Sequence, residues 1–236
     1  MADTQKPNIV LVHGAFADGS SWGRVIPPLA RDGYHVTAVQ IPLTSVADDV
    51  AVARRVIDAQ DGPTVVVGHS YGGCVITQAA HGAGNVRALV YLAAMAPDEG
   101  ETNGALAARF PAPLLAQCLR PDAAGFAYVD RARFHEVFCA DVDAETALVM
   151  AAAQKPIAGS TFGDPCGPAA WHDVPTFFQV SEDDHAIHPD QERWEAERMG
   201  ATTLALRSSH VAMISHPQEV AALIREAAGA AAGGTR

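Results

Sequence analysis

Short apolar runs alternate with helix-length segments along most of this chain. Ile9 to Val12 is an unbroken apolar run ended by His13-Gly14, the pattern of a strand buried on both faces. His35 to Ile41, Thr64 to Val67 and Val86 to Leu92 repeat that pattern, the first closed by Pro42 and the second by Gly68. Thr176 to Val180 and the less hydrophobic Thr202 to Leu206 make a fifth and a sixth. Between them lie segments long enough for helices: Ser20 to Arg31, Val46 to Gln60, Gly72 to His81, Pro189 to Met199 and Pro217 to Ala228. Buried strands separated by helices need right-handed crossovers. The order therefore predicts an α/β fold, a mostly parallel central sheet of about six strands with helices on both faces.

One stretch breaks the alternation. From Pro97 to about Ala170 there is no central-strand pattern, and six prolines from Pro111 to Pro168 punctuate it. Helical pieces are expected at Gly104 to Leu119, Arg131 to Phe138 and Ala144 to Gln154. The chain thus divides into a core, residues 1–96 and 171–236, and a helical lid, residues 97–170, inserted before the fifth strand over the carboxyl edge of the sheet. The tail after Gly229 reads as frayed.

A length of 236 residues suffices for one domain with a sizeable core. Sixteen basic against 27 acidic residues give a net charge of −11, with only two lysines, Lys6 and Lys155. Such a surface repels phosphate backbones and anionic lipid, so neither nucleic acid nor a membrane is expected as a partner. The longest uncharged apolar stretch, Ala88 to Pro97, is too short to span a bilayer, and the polar Met1 to Asn8 shows no signal-peptide pattern. Cys74, Cys118, Cys139 and Cys166 lack CxxC spacing and read as free thiols of a reducing compartment, which implies a cytoplasmic location. Ten histidines invite a metal hypothesis, yet His185 and His188 read as solvated loop and the others as packing, structural, capping or partnerless residues, so no metal is expected. Gly82-Ala-Gly84 precedes a strand and lacks a third glycine, and no Walker motif occurs, so no cofactor is expected either.

The chemistry begins at Gly68-His69-Ser70-Tyr71-Gly72, a G-x-S-x-G pattern between a strand and a helix. The turn is so sharp that a side chain at either glycine would strike neighbouring backbone, and it pushes the Ser70 hydroxyl out over the sheet edge. A lone serine is a poor nucleophile; it needs a base, and the base needs an orienting group. Asp183 and Asp184 follow the fifth strand, and His210 follows the sixth. Three groups at successive carboxyl ends of strands match the way open parallel sheets build sites. An oxyanion needs backbone N–H donors, for which Tyr71 and the His13-Gly14-Ala15-Phe16 loop are placed, Ala15 first and Phe16 second.

These residues resemble the α/β-hydrolases, most closely the compact esterase branch that includes plant methyl-ester esterases and hydroxynitrile lyases. The resemblance runs over nearly the whole chain, through Leu11 to Phe16 with Ser21-Trp22, Gly68 to Gly73, Asp184 to Pro189 and Ser209 to Pro217. It implies Asp184 rather than Asp183 as the acid of a Ser70–His210–Asp184 triad, with Ala15 and Tyr71 as oxyanion donors. The similar lyases carry Thr at the place of Gly14 and Lys at the place of Val211, so these two residues imply ester hydrolysis.

The expected activity is a serine hydrolase acting on a small, rather apolar carboxylic ester, thioester or lactone through an acyl-enzyme, as monomer or homodimer. A cofactor-free lyase and a non-catalytic ligand-binding protein on the same fold are the alternatives. Phe16, Phe110 and Phe138 are the expected pocket residues, with Leu106, Leu114, Leu115, Phe126, Phe134 and Phe162 as further lid candidates.

Overall fold

The structure is a computed structural model that describes residues 6–233. Its first half alternates as the pattern predicts: β1 (Asn8–Val12), α1 (Ile26–Arg31), β2 (Val36–Val39), α2 (Val46–Asp58), β3 (Thr64–His69), α3 (Tyr71–Ala79) and β4 (Val86–Leu92). An insertion follows, with α4 (Asn103–Ala107), β5 (Leu119–Pro121), β6 (Phe126–Val129), α5 (Phe134–Phe138), α6 (Ala144–Ala153) and β7 (Ile157–Ala158). The alternation then resumes with β8 (Thr176–Ser181), α7 (Pro189–Arg198), β9 (Thr202–Leu206), α8 (Ala212–Ser215) and α9 (Pro217–Gly233).

The main sheet has the order β2-β1-β3-β4-β8-β9, and every neighbouring pair is parallel. β1 and β3 are buried along their whole length because helices cover both faces, which is why they read as unbroken apolar runs. β9 is the edge, mostly exposed, and its weaker hydrophobicity in the sequence has that cause. α2 shows how a helix meets this sheet. The Ser45 hydroxyl caps it by accepting from Asp48 N–H at 3.0 Å, and Val46, Asp49, Ala53 and Ile57 form its buried stripe at helical spacing.

Three expectations need correction. The first helix does not run from Ser20 to Arg31. A short 3-10 turn at Gly19–Trp22 precedes α1, which starts afresh at Ile26 because Pro27 and Pro28 have no N–H to offer an upstream turn. The insertion is helical only in part: β5, β6 and β7 form a small antiparallel sheet. Its hairpin closes where the Asp122 carboxylate accepts from Ala124 and Phe126 N–H at 2.8 and 2.9 Å and Gly125 takes a φ of +83°. Asp122 to Gly125 followed by the alternating Phe126-Ala127-Tyr128-Val129 is a hairpin signal that the prolines obscured. Finally, the chain beyond Gly229 is not frayed, since α9 continues to Gly233 with Ala227, Ala228 and Ala231 buried. Residues 234–236, like the leader residues 1–5, lie outside the described chain. Among the described residues no helix is long and apolar enough to cross a membrane.

Burial grades predict a graded response to truncation. Leu11→Ala in fully buried β1 should cost about 2–5 kcal/mol in urea unfolding. Half-buried Leu204→Ala on the mostly exposed β9 should cost clearly less, and equal losses would mean that this edge strand carries as much of the core as the centre.

Candidate active site

The strand order reverses between β1 and β3, so their outgoing loops leave toward opposite faces and open a crevice at the carboxyl edge. The turn after β3 holds Ser70 at φ 54°, ψ −124°, a conformation that costs about 1–3 kcal/mol for a residue with a side chain. The surrounding backbone fixes it there. Ser70 N–H donates to Leu92 C=O at 3.1 Å, and Ser70 C=O accepts from Gly73 and Met95 N–H at 2.9 and 3.2 Å. A Cβ on Gly68 would lie 2.6 Å from the Gly72 carbonyl oxygen, and one on Gly72 would lie 2.6 Å from that of Val12. Neither backbone can give way, so both positions require glycine. Across the crevice Gly14 is equally tight, since its missing Cβ would lie 2.7 Å from the Cβ of Ser70.

His210 and Asp184 arrive from the ends of β9 and β8. The His210 ring and the Asp184 carboxylate are both buried, with Nδ1 and Oδ2 2.6 Å apart. The second carboxylate oxygen accepts from Ala186 and Ile187 N–H at 2.6 and 3.1 Å. Burial pushes the Asp184 carboxyl up, but the adjacent His210 ring and these hydrogen bonds outweigh it and hold it below the usual carboxylate range. Asp183, the alternative in the sequence, is exposed and lies 3.7 Å from the Arg207 guanidinium. The His210 loop is also tied to the insertion, because Ser209 donates its N–H and its hydroxyl to the Asp141 carboxylate.

The two candidate oxyanion donors belong to peptides that are pinned from behind. Among the described residues neither Ala15 N–H nor Tyr71 N–H reaches a protein acceptor. His13 holds the Gly14–Ala15 peptide: its Nδ1–H donates to Gly14 C=O at 2.9 Å, and its Nε2 accepts from Ile41 N–H at 3.2 Å. These partners assign the tautomer, and burial keeps the ring neutral, its pKa pulled down to about 4. On the other side the Tyr71 hydroxyl donates to Asp49 at 2.7 Å, while the same carboxylate accepts from Leu43 N–H at 2.6 Å. This pairing of α2 with the first residue of α3 lies 22 positions apart in the chain and leaves no sequence signal beyond an acid on an otherwise apolar stripe.

His69 packs against His210, ring centroids 4.7 Å apart, and donates from Nε2 to the His210 carbonyl at 2.8 Å. Burial, then the neighbouring His210, lowers its pKa to about 3, so it supports the loop as a neutral ring. Near Asp184 stands a second buried carboxyl, Glu192 of α7, which accepts from Ser181 N–H at 2.7 Å. Sequence reasoning missed it, because a glutamate in the first turn of a polar helix reads as solvated.

Ser70 and His210 open into a cavity of about 190 Å³ with otherwise largely apolar walls. Phe16, Met95, Leu115, Phe138, Phe162 and Ile187 supply most of it. Phe16 and Phe138 therefore stand where the sequence places them, and Leu115 and Phe162 join them from the further candidates. Phe110 does not. α4 ends at Ala107, and in the turn beyond it the Phe110 ring packs on Trp194 of α7 at 5.9 Å, away from this cavity. Phe134 is fully buried beneath Phe138, ring centroids 5.0 Å apart, as core of the insertion. Met95 and Ile187 were missed, although each follows closely on the carboxyl end of a strand. Among the described residues no three His, Cys, Asp or Glu side chains cluster so as to hold a metal ion.

Comparison with known proteins places this architecture. A probable hydrolase of the fungus Phoma sp. is 27% identical over 245 residues, which cover 95% of this chain and 99% of that one. A pyrethroid hydrolase from Sphingobium faniae JZ-2 superposes with a TM-score of 0.82 at 22% identity, covering 94% of this chain and 97% of the other. Polyneuridine aldehyde esterase superposes with a TM-score of 0.81 at 18% identity over 94% and 99%. The model of the alpha/beta hydrolase family matches residues 9–223. With a six-stranded parallel sheet, a strained Gly-x-Ser-x-Gly turn after its third strand and this match over most of its length, the chain belongs to the alpha/beta hydrolase family.

Proposed function

We propose that this protein is a serine hydrolase of small, apolar carboxylic esters, with thioesters and lactones in the same class, working through an acyl-enzyme. The observation that carries the reading is the buried 2.6 Å pair of His210 and Asp184 beside a strained serine at the floor of an apolar cavity. Ser70 Oγ attacks the ester carbonyl while His210 accepts its proton, and Asp184 holds the ring with Nδ1–H toward the carboxylate and stabilises the imidazolium. Negative charge gathers on the carbonyl oxygen, where the Ala15 and Tyr71 N–H groups receive it. His210 then protonates the departing alkoxide, and water repeats the sequence on the acyl-Ser70. Gly14 speaks for hydrolysis over the lyase reaction, since the similar lyases carry threonine there and a Cβ at this position would lie 2.7 Å from that of Ser70. Residues 97–170 act as the lid: Leu115 and Phe162 shape the acyl side, Phe138 stands against His210, and no group of the triad comes from them.

Asp184 can serve only while ionised, which bears on Glu192. Two ionised carboxylates side by side in a dry site are mutually destabilising, and burial together with the Asp184 charge raises Glu192 well above its ordinary 4.5. Glu192 is thus held as a neutral acid beside Asp184. Because the folded state holds this proton more tightly than the unfolded chain, the contribution is complete below pH 4.5 and lost as pH rises through the folded value. Glu192→Gln keeps a donor and removes the titration. Between pH 5 and pH 8 the urea midpoint of the wild type should therefore fall relative to that of Glu192→Gln; parallel curves would mean that Glu192 is ionised in the fold.

A fluorophosphonate should add one mass label, on the peptide carrying Ser70, and Ser70→Ala should abolish both labelling and esterase activity. Label elsewhere would reassign the nucleophile. Asp184→Asn should lower turnover of p-nitrophenyl esters by about 10⁴-fold, by analogy with triad enzymes, while Asp183→Asn stays near wild type. The reverse result would exchange the two aspartates.

A further inference from the structure

Phe16 is the one lining residue shared by two cavities. One is the Ser70 cavity, and the other is a cleft of about 190 Å³ lined also by Ala17, Arg24, Thr146 and Ile214. The ring is nearly fully buried, on a backbone at φ 60°, a left-handed conformation unusual for a bulky residue. It meets Phe138 edge-on at 6.2 Å, and Phe138 meets His210 edge-on at 5.0 Å. Phe16 and Phe138 therefore wall the histidine side of the reacting centre.

The two spaces differ in chemistry. The Ser70 cavity is almost wholly apolar beyond its serine and histidine. The outer cleft mixes Met150 and Ile214 with the polar groups of Asp18, Ser20, Arg24 and Thr146. Its polar groups are held in place: Asp18 accepts from Ser20 N–H at 2.7 Å, Arg24 donates to Ile214 C=O at 2.9 Å, and the Thr146 hydroxyl donates to Asp143 at 2.8 Å. Ile214 lies on α8, four residues beyond His210, so the cleft abuts the base's own loop.

Resting on the hydrolase reading above, this arrangement separates the halves of an ester. When the tetrahedral adduct collapses, the bond from carbonyl carbon to alkoxy oxygen breaks, the acyl group stays on Ser70 Oγ, and the alkoxide takes the proton from His210. The alcohol half must therefore lie on the histidine side, where Phe138 and Phe16 stand. We propose that the cleft beyond Phe16 is the binding site for the alcohol half of the substrate, an amphipathic aryl or branched alcohol bearing hydroxyl or ether oxygens, with the Phe16 ring as the door between that site and Ser70.

The test uses two butyrate esters with one acyl group, methyl butyrate and the primary ester of 3-phenoxypropane-1,2-diol, on three full-length proteins. Thr146→Trp fills the cleft, and Phe16→Ala removes the door. The ratio of kcat/KM for the aryl ester to that for the methyl ester should fall tenfold or more in Thr146→Trp and rise several-fold in Phe16→Ala. Free 3-phenoxypropane-1,2-diol should give saturation-transfer NMR signals with Ser70→Ala protein, and adding Thr146→Trp to it should abolish them. Should Thr146→Trp fail to fold, the Phe16→Ala ratio decides. Turnover of both esters at an unchanged ratio in the variants would sink the cleft assignment and leave the hydrolase reading standing. No turnover of either ester by the wild type would sink the hydrolase reading and the leaving-group assignment with it.

Discussion

Three backbone segments meet at the carboxyl edge between β1 and β3 at distances that admit no side chain. Gly68 lies against Gly72, Gly72 against the end of β1, and Gly14 against Ser70 itself. This close approach sets the position of everything else in the site. It holds Ser70 in its strained turn, with three backbone hydrogen bonds to offset the strain, and it sets the Ala15 loop facing that serine. A sheet edge where neighbouring strands send their loops to opposite faces is the one place in this topology where two turns can approach so closely.

Around that contact the buried ionisable groups are sorted by charge. His13 and His69 are neutral because burial strips them of water; His13 spends both ring nitrogens, and His69 its Nε2, on backbone that shapes the site. Asp184 is held as an anion by His210 and two backbone N–H donors. Glu192 and Asp49 are both pushed up by burial, and each serves as a hydrogen-bonded prop behind a site residue. A dry site tolerates one such charge when it is fully bonded, and each further one would cost several kcal/mol.

The insertion contributes walls and one anchor. Phe138 reaches from α5 to the edge of the His210 ring, and Asp141 just beyond it binds both donors of Ser209. The segment that shapes the cavity is thereby coupled to the loop that carries the histidine. Its movement would be felt at His210, while Ser70 rests wholly on the core.

The sequence alone determined the alternation, the parallel sheet, the site of the insertion and the serine turn. Each depends on local signals: apolar runs the length of one strand, and glycines where a turn leaves no room. It placed Ser70, His210 and the Asp183–Asp184 pair at strand ends because parallel topology allows few other places for such groups, and the family resemblance pointed to Asp184 of the two. It did not find the small sheet of the insertion, where the prolines outweighed a hairpin signal at Asp122 to Gly125. It sent Phe110 into the cavity although that ring packs on Trp194, because a side chain beyond the end of a short helix takes its direction from whatever it packs against. The props, Asp49 on Tyr71 and Glu192 behind Asp184, were decided by tertiary structure alone. Their partners lie on other elements, and a carboxyl in a helix reads the same in sequence whether it faces water or the core. Only packing sets the burial that raises the pKa of such a group and gives it a role.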